Sequence, residues 1–530
     1  SCFRLSFTRK RSINADIKAV CRNRLASTVK GTVTPATIRE KMLIAQYIYH
    51  FARVTPTAPA MIHNGIPISY SVFAAAIFRA GMDISSCGVQ SPGTVAVKVR
   101  NLAECWVITL ALQAKGYTTI CISSLELLES MQVKNLAAIF VTVEEGGHTP
   151  ARVDSAPVFS IAKPVFEDAG SVEIAAPPGF GDGGGHILYT SGTTGSYKMY
   201  VLTARTQRQR DLERVEYYGW GDKTRFYGLN FGLWTAVGYN LSPSVWSVGG
   251  TVLLDQENDW TGHFFDSNPS FAFLLPDQAL QLCGEKNPEF PNAAKSSGPV
   301  LYICGGFLGN RVARKLLENV SRNIVITYGS SEINSASFEQ PYQSIEDLNW
   351  LTPTGNRVIE IVNEREQICP VNEEGHLRVK LTGLDVQSYL NDPEASSNAF
   401  RNGYFYPGDI AVQREDGRFG ILGRTADVVN LAGQKRSVAP IEANLRNILQ
   451  VDYVCVFSGI DSSGETVIVI AMEANSPPDE DRLSHVGREF SQWGEVRFAY
   501  VSHFPRTQSG TSKIDRKRLR DLVFPREMCD

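Results

Sequence analysis

The sequence predicts an α/β fold, with a large N-terminal domain of mixed, largely parallel sheets wrapped by helices and a small α+β domain at the C-terminus. One reason is the length of 530 residues, since a single hydrophobic core seldom supports so long a chain. Another is the alternation of apolar strands with helical segments, which is typical of parallel sheets. We therefore expect a basic, poorly ordered leader over residues 1–36, an N-terminal domain over 37–425 and a C-terminal domain over 426–530.

Hydrophobic spacing predicts the elements in order. Residues Ile38–Val54 have the spacing of an amphipathic helix, and apolar runs on either side of Asn64-Gly65 indicate a β-hairpin. The pattern then predicts a helix at 105–115 and strands at 95–99, 118–122 and 137–143. We interpret the charged run from Arg205 to Arg214 as the solvated face of a helix with no chemical role. In the C-terminal domain, strand or helix segments are predicted at 428–431, 441–449, 454–459 and 467–472.

The composition is that of a soluble globular enzyme, with 43% apolar residues, 20% charged residues and a net charge of −3. This balance argues against nucleic acid as a partner, because proteins that bind a phosphate backbone carry a basic excess. The ten cysteines are scattered without a Cys-x-x-Cys pair, which favours reduced thiols in the cytoplasm over zinc ligands or disulfides. The eight histidines show no metal-ligand spacing, and no apolar run is long enough for a transmembrane segment.

The first 30 residues contain eight lysines and arginines but one acidic residue, Asp16. This composition fits an organelle transit peptide. A basic leader on a cytoplasmic protein is the preferred interpretation.

A loop rich in small hydroxyl residues follows the apolar strand Ile187–Tyr189, with the sequence Thr190-Ser191-Gly192-Thr193-Thr194-Gly195. Its glycines allow close approach to a ligand, and its hydroxyl and backbone N–H groups suit phosphate oxygens, to which Lys198 adds a positive charge. A Walker A loop is excluded by spacing, since Tyr197 stands where that motif has its second glycine, five residues after Gly192. The alternative is a Ser/Thr/Gly-rich surface turn.

Two further clusters follow apolar strands. The first joins Leu301–Gly306 to Ile324–Glu332, two strands that each end in glycine and so let a flat ring or acyl group lie against the backbone. The second contains Tyr404–Ile410 and Phe419–Arg424, joined by the hairpin signal Asp416-Gly417. Ligands bind such folds at the carboxyl ends of strands, which is where these residues are expected.

Together these segments resemble the adenylate-forming superfamily of acyl-CoA synthetases, aryl-acid ligases, nonribosomal-peptide adenylation domains and luciferases. The loop is similar to the signature Tyr-Thr-Ser-Gly-Thr-Thr-Gly-x-Pro-Lys-Gly, with Tyr197 and Met199 in place of its proline and final glycine. Residues 328–332 resemble Tyr-Gly-x-Thr-Glu, and residues 407–409 and 423–427 resemble Thr-Gly-Asp and Gly-Arg-x-Asp-Asp. In the latter two, Pro407 replaces threonine and Ala426 replaces the hinge aspartate.

The resemblance implies a role for each matching residue. Glu332 would hold Mg²⁺, a hard cation that prefers oxygen ligands, and Lys198 would offset charge on the ATP phosphates. The implied ATP-binding residues are Thr190, Ser191, Gly192, Thr193, Thr194, Gly195, Tyr328 beside adenine, Gly329, Ser331 at the α-phosphate, Asp409 on the ribose and Arg424 near ribose or phosphate. The implied acid pocket contains Asn230, Phe231, Ala236, Gly305, Gly306 and Thr327.

Two loops of the C-terminal domain also match the family. Ala432–Lys435 is similar to the glycine loop, whose Gly433 and Lys435 would line the passage for the acceptor thiol. Pro505–Arg516 resembles Pro-x-Thr-x-Ser-Gly-Lys-Ile-Asp-Arg with two extra residues, which makes Lys513 the candidate catalytic lysine. By this resemblance the small domain is mobile and presents the two loops in turn.

The predicted function is the ATP- and Mg²⁺-dependent activation of a small-molecule carboxylic acid as acyl-AMP, followed by transfer to the thiol of CoA or of phosphopantetheine on an acyl carrier protein. Ala236 stands where amino-acid-activating relatives carry an aspartate for the substrate ammonium, so we expect an aryl or aliphatic acid. Two alternatives stay open: a ligase with a non-thiol acceptor, and a nucleotide-binding relative without catalysis.

Overall fold

The structure is a computed structural model that describes residues 42–131, 133–142, 151–153, 155–167, 184–191, 197–256, 260–284, 298–355, 357–425, 427–431, 434–460, 466–474, 476–506 and 514–524. The elements of residues 42–161 are α1 (Ile44–Val54), β1 (Pro59–His63), β2 (Ile66–Ser69), α2 (Tyr70–Ser86), β3 (Thr94–Lys98), α3 (Leu102–Ala114), β4 (Thr118–Cys121), α4 (Leu125–Met131), β5 (Leu136–Thr142), β6 (Arg152–Val153) and β7 (Ala156–Ile161).

The elements of residues 185–353 are β8 (Gly185–Ser191), β9 (Tyr197–Thr203), α5 (Ala204–Tyr218), β10 (Arg225–Leu229), α6 (Ala236–Trp246), β11 (Thr251–Leu254), α7 (Trp260–Asp266), β12 (Phe271–Leu274), α8 (Pro276–Leu282), β13 (Val300–Ile303), α9 (Asn310–Asn319), β14 (Ile324–Tyr328), β15 (Phe338–Pro341) and β16 (Thr352–Pro353). Those of residues 359–424 are β17 (Ile359–Val362), β18 (Glu374–Lys380), α10 (Pro393–Ala399), β19 (Phe400–Arg401), β20 (Tyr404–Phe405), β21 (Asp409–Gln413) and β22 (Phe419–Arg424). The C-terminal elements are β23 (Val428–Leu431), β24 (Gln434–Ser437), α11 (Val438–Leu449), β25 (Val454–Ile460), β26 (Thr466–Glu473), α12 (Glu480–Phe490), β27 (Glu495–Val501) and α13 (Arg516–Val523).

Two large mixed sheets form the body of the N-terminal part. One has nine strands in the order β16-β15-β14-β13-β12-β10-β11-β1-β2, and the other has seven in the order β6-β7-β5-β3-β4-β8-β9. Their central pairs are parallel, as between β12, β13 and β14, and antiparallel strands lie at their edges. The predicted largely parallel α/β fold is therefore confirmed, with helices such as α3 buried against the sheets.

Local sequence accounts for where the elements begin and turn. Ser69, Asn101 and Thr235 cap α2, α3 and α6 by accepting a hydrogen bond from a first-turn N–H of each helix. The predicted hairpin is formed by β1 and β2, with Asn64 and Gly65 in the left-handed region at φ 47° and 77°. The predicted first helix starts later than expected, at Ile44, and residues 38–41 lie outside the described part of the chain.

The remaining strands form three smaller sheets. Strands β17–β22 make a six-stranded sheet, β23 pairs with β24, and β25, β26 and β27 make a three-stranded sheet. The C-terminal elements bury their own apolar residues in two clusters drawn from residues 429–490 and 455–524. This part of the chain therefore has a core of its own, and the predicted boundary at residue 426 stays a prediction.

The interpretation of residues 205–214 as a solvated helix face was wrong. They lie in α5, where Arg208, Arg210 and Arg214 are 7%, 0% and 3% exposed. One face of the helix is buried because α5 packs against α6 and contacts the segments around residues 332 and 384. Guanidinium groups tolerate this burial because backbone carbonyls and side-chain oxygens accept their hydrogen bonds.

None of the helices in the described ranges is long and apolar enough to cross a membrane. The seven cysteines within these ranges are free thiols.

Candidate functional site

The predicted phosphate loop is held between two paired strands. Strand β8 continues to Ser191, two residues beyond the predicted strand, and β9 resumes at Tyr197. Thr190 lies directly opposite Lys198 in this antiparallel ladder. The ends of the loop are thus fixed with a lysine beside a threonine, whereas Gly192, Thr193, Thr194 and Gly195 lie outside the described residues.

Glu332 lies just beyond strand β14 and is 5% exposed. Tyr389 donates a hydrogen bond of 2.7 Å to its Oε1 atom, and the Ser330 hydroxyl donates to Oε2. Both donors are neutral hydroxyls, so neither of them pairs the carboxylate with a positive charge. Burial, followed by the charge of Glu332, raises the pKa of Tyr389, so that hydroxyl stays protonated and can donate.

Lys198, on β9 of the seven-stranded sheet, contacts the Tyr389 ring. Its Nζ atom lies 5.2 Å from the centroid of the Tyr389 ring, within the range of a cation–π contact. Tyr200 on β9 adds a second tie by donating a 2.8 Å hydrogen bond to the backbone oxygen of Ser331. The loop lysine and the candidate metal carboxylate, far apart in sequence, therefore share Tyr389 as a common neighbour.

Tyr328, Asp409 and Arg424 form a second group. Asp409 and Arg424 are register partners across the β21–β22 hairpin, and their Oδ1 and Nε atoms are 3.1 Å apart. The Tyr328 hydroxyl donates to the other carboxylate oxygen of Asp409. Each oxygen of the carboxylate retains acceptor capacity, so both can also accept from the neighbouring hydroxyls of a ribose.

We expect Asp409→Ala to weaken ATP binding by about tenfold or more, because hydrogen bonds to a charged group contribute about 1.5–3 kcal/mol. Tyr328→Phe is the matched control, since it removes one donor to Asp409 and leaves the carboxylate. Titration calorimetry of each variant with ATP measures the effect. An Asp409→Ala variant that binds ATP with the wild-type Kd would contradict the ribose role.

Asn230, Gly305 and Gly306 of the predicted acid pocket follow parallel strands of the nine-stranded sheet, β10 and β13, with β12 between them. Asn230 comes after β10, and Gly305 and Gly306 come after β13, so they lie at one edge of the sheet. Gly305 has φ +76°, and a β-carbon there would lie 2.8 Å from the Leu275 side chain, which only glycine avoids. Gln278 of α8 contacts Asn230, with 3.5 Å between Nε2 and Oδ1.

The other predicted pocket residues differ in exposure. Phe231 is 2% exposed and packs in the apolar core beside β10. Thr327 is 7% exposed and donates to the backbone oxygen of Phe338, at 3.4 Å. Ala236 is the first residue of α6 and is half-buried. Of these three residues, Ala236 is therefore the only one that is not fully buried, and it lies at the start of a helix.

A buried polar network holds β8 against the turn before α6. His186 is fully buried, with Nδ1 at 2.8 Å from the Thr119 hydroxyl and Nε2 at 2.8 Å from the backbone oxygen of Leu233. Its ring stacks on Tyr239 with centroids 3.9 Å apart. Burial lowers the pKa of His186 to about 3, so this histidine is a neutral structural tie and not a general base.

The loop that carries Lys513 begins at an interface with the N-terminal part. Arg506 and Ile514 form an antiparallel β-bridge at the base of the loop. Residues 507–513, which include Lys513, lie outside the described residues. Arg506 pairs with Asp277 of α8 at 3.5 Å, and Tyr453 donates to the same carboxylate. Helix α8 follows β12, so the base of this loop lies at the same sheet edge as the pocket glycines.

The glycine loop is described only in part. Gly433 and Ala426 lie outside the described residues, and Lys435 is placed on β24. The Nη2 atom of Arg311 in α9 donates to both carboxylate oxygens of Asp452, a further contact between the two parts of the chain.

Three residues at the site were missed from the sequence: Tyr200, Arg210 and Tyr389. No local pattern singles out Tyr200 or Tyr389, because their partners are distant in sequence. Arg210 had a usable signal, since α5 has no apolar stripe and a helix of that kind needs polar partners to be stable.

The model of the AMP-binding enzyme family matches residues 48–384, and the chain belongs to this family. It is 24% identical over 494 residues to the 4-chlorobenzoate–CoA ligase of an Arthrobacter species, covering 88% of this chain and 93% of that protein. It is 25% identical over 486 residues to the 2-succinylbenzoate–CoA ligase of Bacillus licheniformis, covering 88% and 98%.

Longer relatives match as well, but the chain spans only 6% of the length of bacitracin synthase 3 of Bacillus licheniformis, to which it is 26% identical over 366 residues, or 65% of this chain. Among solved structures, the o-succinylbenzoate CoA synthetase of Bacillus subtilis with ATP and magnesium superposes with a TM-score of 0.73 at 19% identity, covering 90% of this chain and 99% of that one. A benzoate CoA ligase from Burkholderia xenovorans superposes with a TM-score of 0.72 at 17% identity, covering 91% and 100%. These superpositions confirm the fold of adenylate-forming enzymes.

Proposed function

We propose that the chain activates a carboxylic acid with ATP as acyl-AMP and transfers the acyl group to a thiol, that of CoA or of carrier-protein phosphopantetheine. The observation that carries this proposal is the convergence of Lys198, Tyr389 and Glu332 from distant segments around a buried, hydroxyl-bonded carboxylate. Similar proteins named as CoA ligases over nearly the whole chain support it.

The residues present fit a nucleotide with its cation. Glu332 offers a carboxylate to a hard cation, and Lys198 brings a positive charge to the base of the phosphate loop. Mg²⁺, when bound, would offset negative charge on the phosphates. Asp409 would accept from the ribose hydroxyls, and Arg424 would hold Asp409 in place through its 3.1 Å contact.

The chemical demand is to bring two anions together, a carboxylate and the α-phosphate. In our proposal Lys513 contacts both as charge moves between them, since fixed positive charge is most effective where negative charge develops. The substrate carboxylate is itself the nucleophile, so no general base is required. We place this chemistry in an adenylation domain of residues 37–425 and a C-terminal domain of residues 426–530 that supplies Lys513.

The proposed acid has no free α-amine. An ammonium group buried without a carboxylate would cost several kcal/mol, or about two orders of magnitude or more in binding, and Ala236 offers none. In ATP–pyrophosphate exchange with a panel of acids, we expect exchange with an aryl or aliphatic acid and none with the standard amino acids. Robust exchange with an amino acid would overturn this assignment, and exchange with no acid would favour nucleotide binding without catalysis.

The acceptor is tested separately. Purified protein incubated with ATP, the acid found by exchange, and either CoA or a phosphopantetheinylated carrier protein should form a thioester with one of them. Transfer to an amine or hydroxyl acceptor instead would support the non-thiol ligase.

A further inference from the structure

Arg210 is a fully buried cation that no motif of the proposed function uses. It lies in α5 at 0% exposure. Its Nε atom donates to the backbone oxygen of Leu384 at 2.8 Å, and Nη2 donates to that of Glu332 at 3.4 Å. One side chain thus joins two segments that are distant in sequence.

These two segments set the surroundings of the Glu332 carboxylate. The backbone oxygen of Glu332 also accepts from Val386 N–H at 2.8 Å, and the segment after Leu384 carries Tyr389, the donor to Glu332 Oε1. A guanidinium fork holds its acceptors in a fixed geometry. Arg210 therefore keeps residue 332 and residues 384–389 in register.

The acidic groups nearby are already paired. Asp385 accepts from both Nη atoms of Arg357, at 2.6 and 2.9 Å, and from the backbone N–H of Asn334. Arg214 donates to the Asn334 side chain at 3.0 Å. Among the described residues, Arg210 thus donates to backbone carbonyls and not to a carboxylate.

Burying Arg210 lowers the stability of the folded protein, which argues that this residue has a role other than stabilisation. The Nη1 atom of Arg210 is buried without a hydrogen-bond partner among the described residues, and an unsatisfied buried donor is costly. Burial, followed by the repulsion of Arg214, lowers the pKa of Arg210 to about 10, so it remains a cation near neutral pH. A methionine of similar length would fill the site without these costs.

We propose that Arg210 is a positioning residue for Glu332, which it orients through the Glu332 and Leu384 carbonyls so that the carboxylate is set for a divalent cation. The inference rests on the proposed function, in which Glu332 binds the cation of an ATP complex. Arg210 acts through Glu332 and contacts neither cation nor nucleotide.

The test is cation binding, which is independent of turnover. Full-length wild type, Arg210→Met and Glu332→Gln are titrated with Mn²⁺ in the presence of α,β-methylene-ATP, and free Mn²⁺ is followed by electron paramagnetic resonance. Groups that orient a metal ligand change metal affinity by about 10–100-fold, so we expect Arg210→Met to weaken Mn²⁺ binding by about tenfold. Arg210→Lys should recover part of the affinity, because its ammonium can reach one carbonyl.

Gln207→Met is the matched control on the same helix. Gln207 is 1% exposed and donates to Asp211 and to the backbone oxygen of Asn240, away from Glu332. Gln207→Met removes buried hydrogen bonds from the same helix and should leave Mn²⁺ affinity unchanged. Equal loss of affinity in Gln207→Met, or wild-type affinity in Arg210→Met, would overturn the inference and make Arg210 structural only.

Glu332→Gln separates this failure from failure of the proposed function. If Glu332→Gln weakens Mn²⁺ binding and Arg210→Met does not, only the role of Arg210 is wrong. If Glu332→Gln binds Mn²⁺ like the wild type, the metal role of Glu332 is wrong and the inference falls with it.

Discussion

Glu332→Gln is expected to lower ATP–pyrophosphate exchange by about 10²-fold or more and to shift its Mg²⁺ dependence to higher concentration, because the substitution removes metal-borne charge stabilisation. Glutamine has nearly the same shape as glutamate, and its Oε1 atom can still accept the hydrogen bond from Tyr389, which is 2.7 Å long in the wild type. The lost quantity is therefore the negative charge. Exchange rates measured over a Mg²⁺ series give both effects.

Tyr389→Phe is the control for this experiment. It keeps the ring beneath Lys198, at 5.2 Å from Nζ to the centroid, and removes only the hydroxyl that donates to Glu332. We expect a loss of about tenfold, in the range of groups that orient a metal ligand. Wild-type exchange with wild-type Mg²⁺ dependence in Glu332→Gln would mean that the cluster around Glu332 is structural.

Much of the fold could be predicted because local pattern determines it. Asn64-Gly65 and Asp416-Gly417 mark hairpins that the structure contains, since each pair supplies a residue with positive φ at the turn. The rule that ligands meet the carboxyl ends of parallel strands predicted where the loop after Tyr189 lies, at the end of β8.

The contacts between clusters could not be predicted in the same way. Tyr328 donates to Asp409 across 81 positions of sequence, and Tyr389 donates to Glu332 across 57. Such pairs depend on how two sheets pack, which no local period encodes. The error over α5 has the same origin: charge suggested solvent, but tertiary packing buried Arg210 and directed its Nε and Nη2 atoms to backbone carbonyls.

Lys513→Ala is expected to abolish acyl-AMP formation while leaving transfer from pre-made acyl-AMP, because the lysine supplies charge only while the anhydride forms. Loss of such a fixed charge typically costs about 10²–10³-fold. The contact between Arg506 and Asp277, 3.5 Å apart, sets the base of the lysine loop beside the proposed pocket. This supports an adenylating orientation of the C-terminal domain.

Gly433→Leu is the complementary variant and should form acyl-AMP yet fail to transfer it, because a side chain there would narrow the proposed thiol passage. In the proposed mechanism transfer requires the small domain to rotate, which would break the contact of Arg506 with Asp277. Ion pairs near the surface contribute about 0–1 kcal/mol, so this contact would oppose the motion weakly. Formation of acyl-AMP and formation of the thioester from pre-made acyl-AMP are measured separately in both variants. Opposite defects support two alternating loops, whereas equal loss of both steps in both variants would indicate one static site.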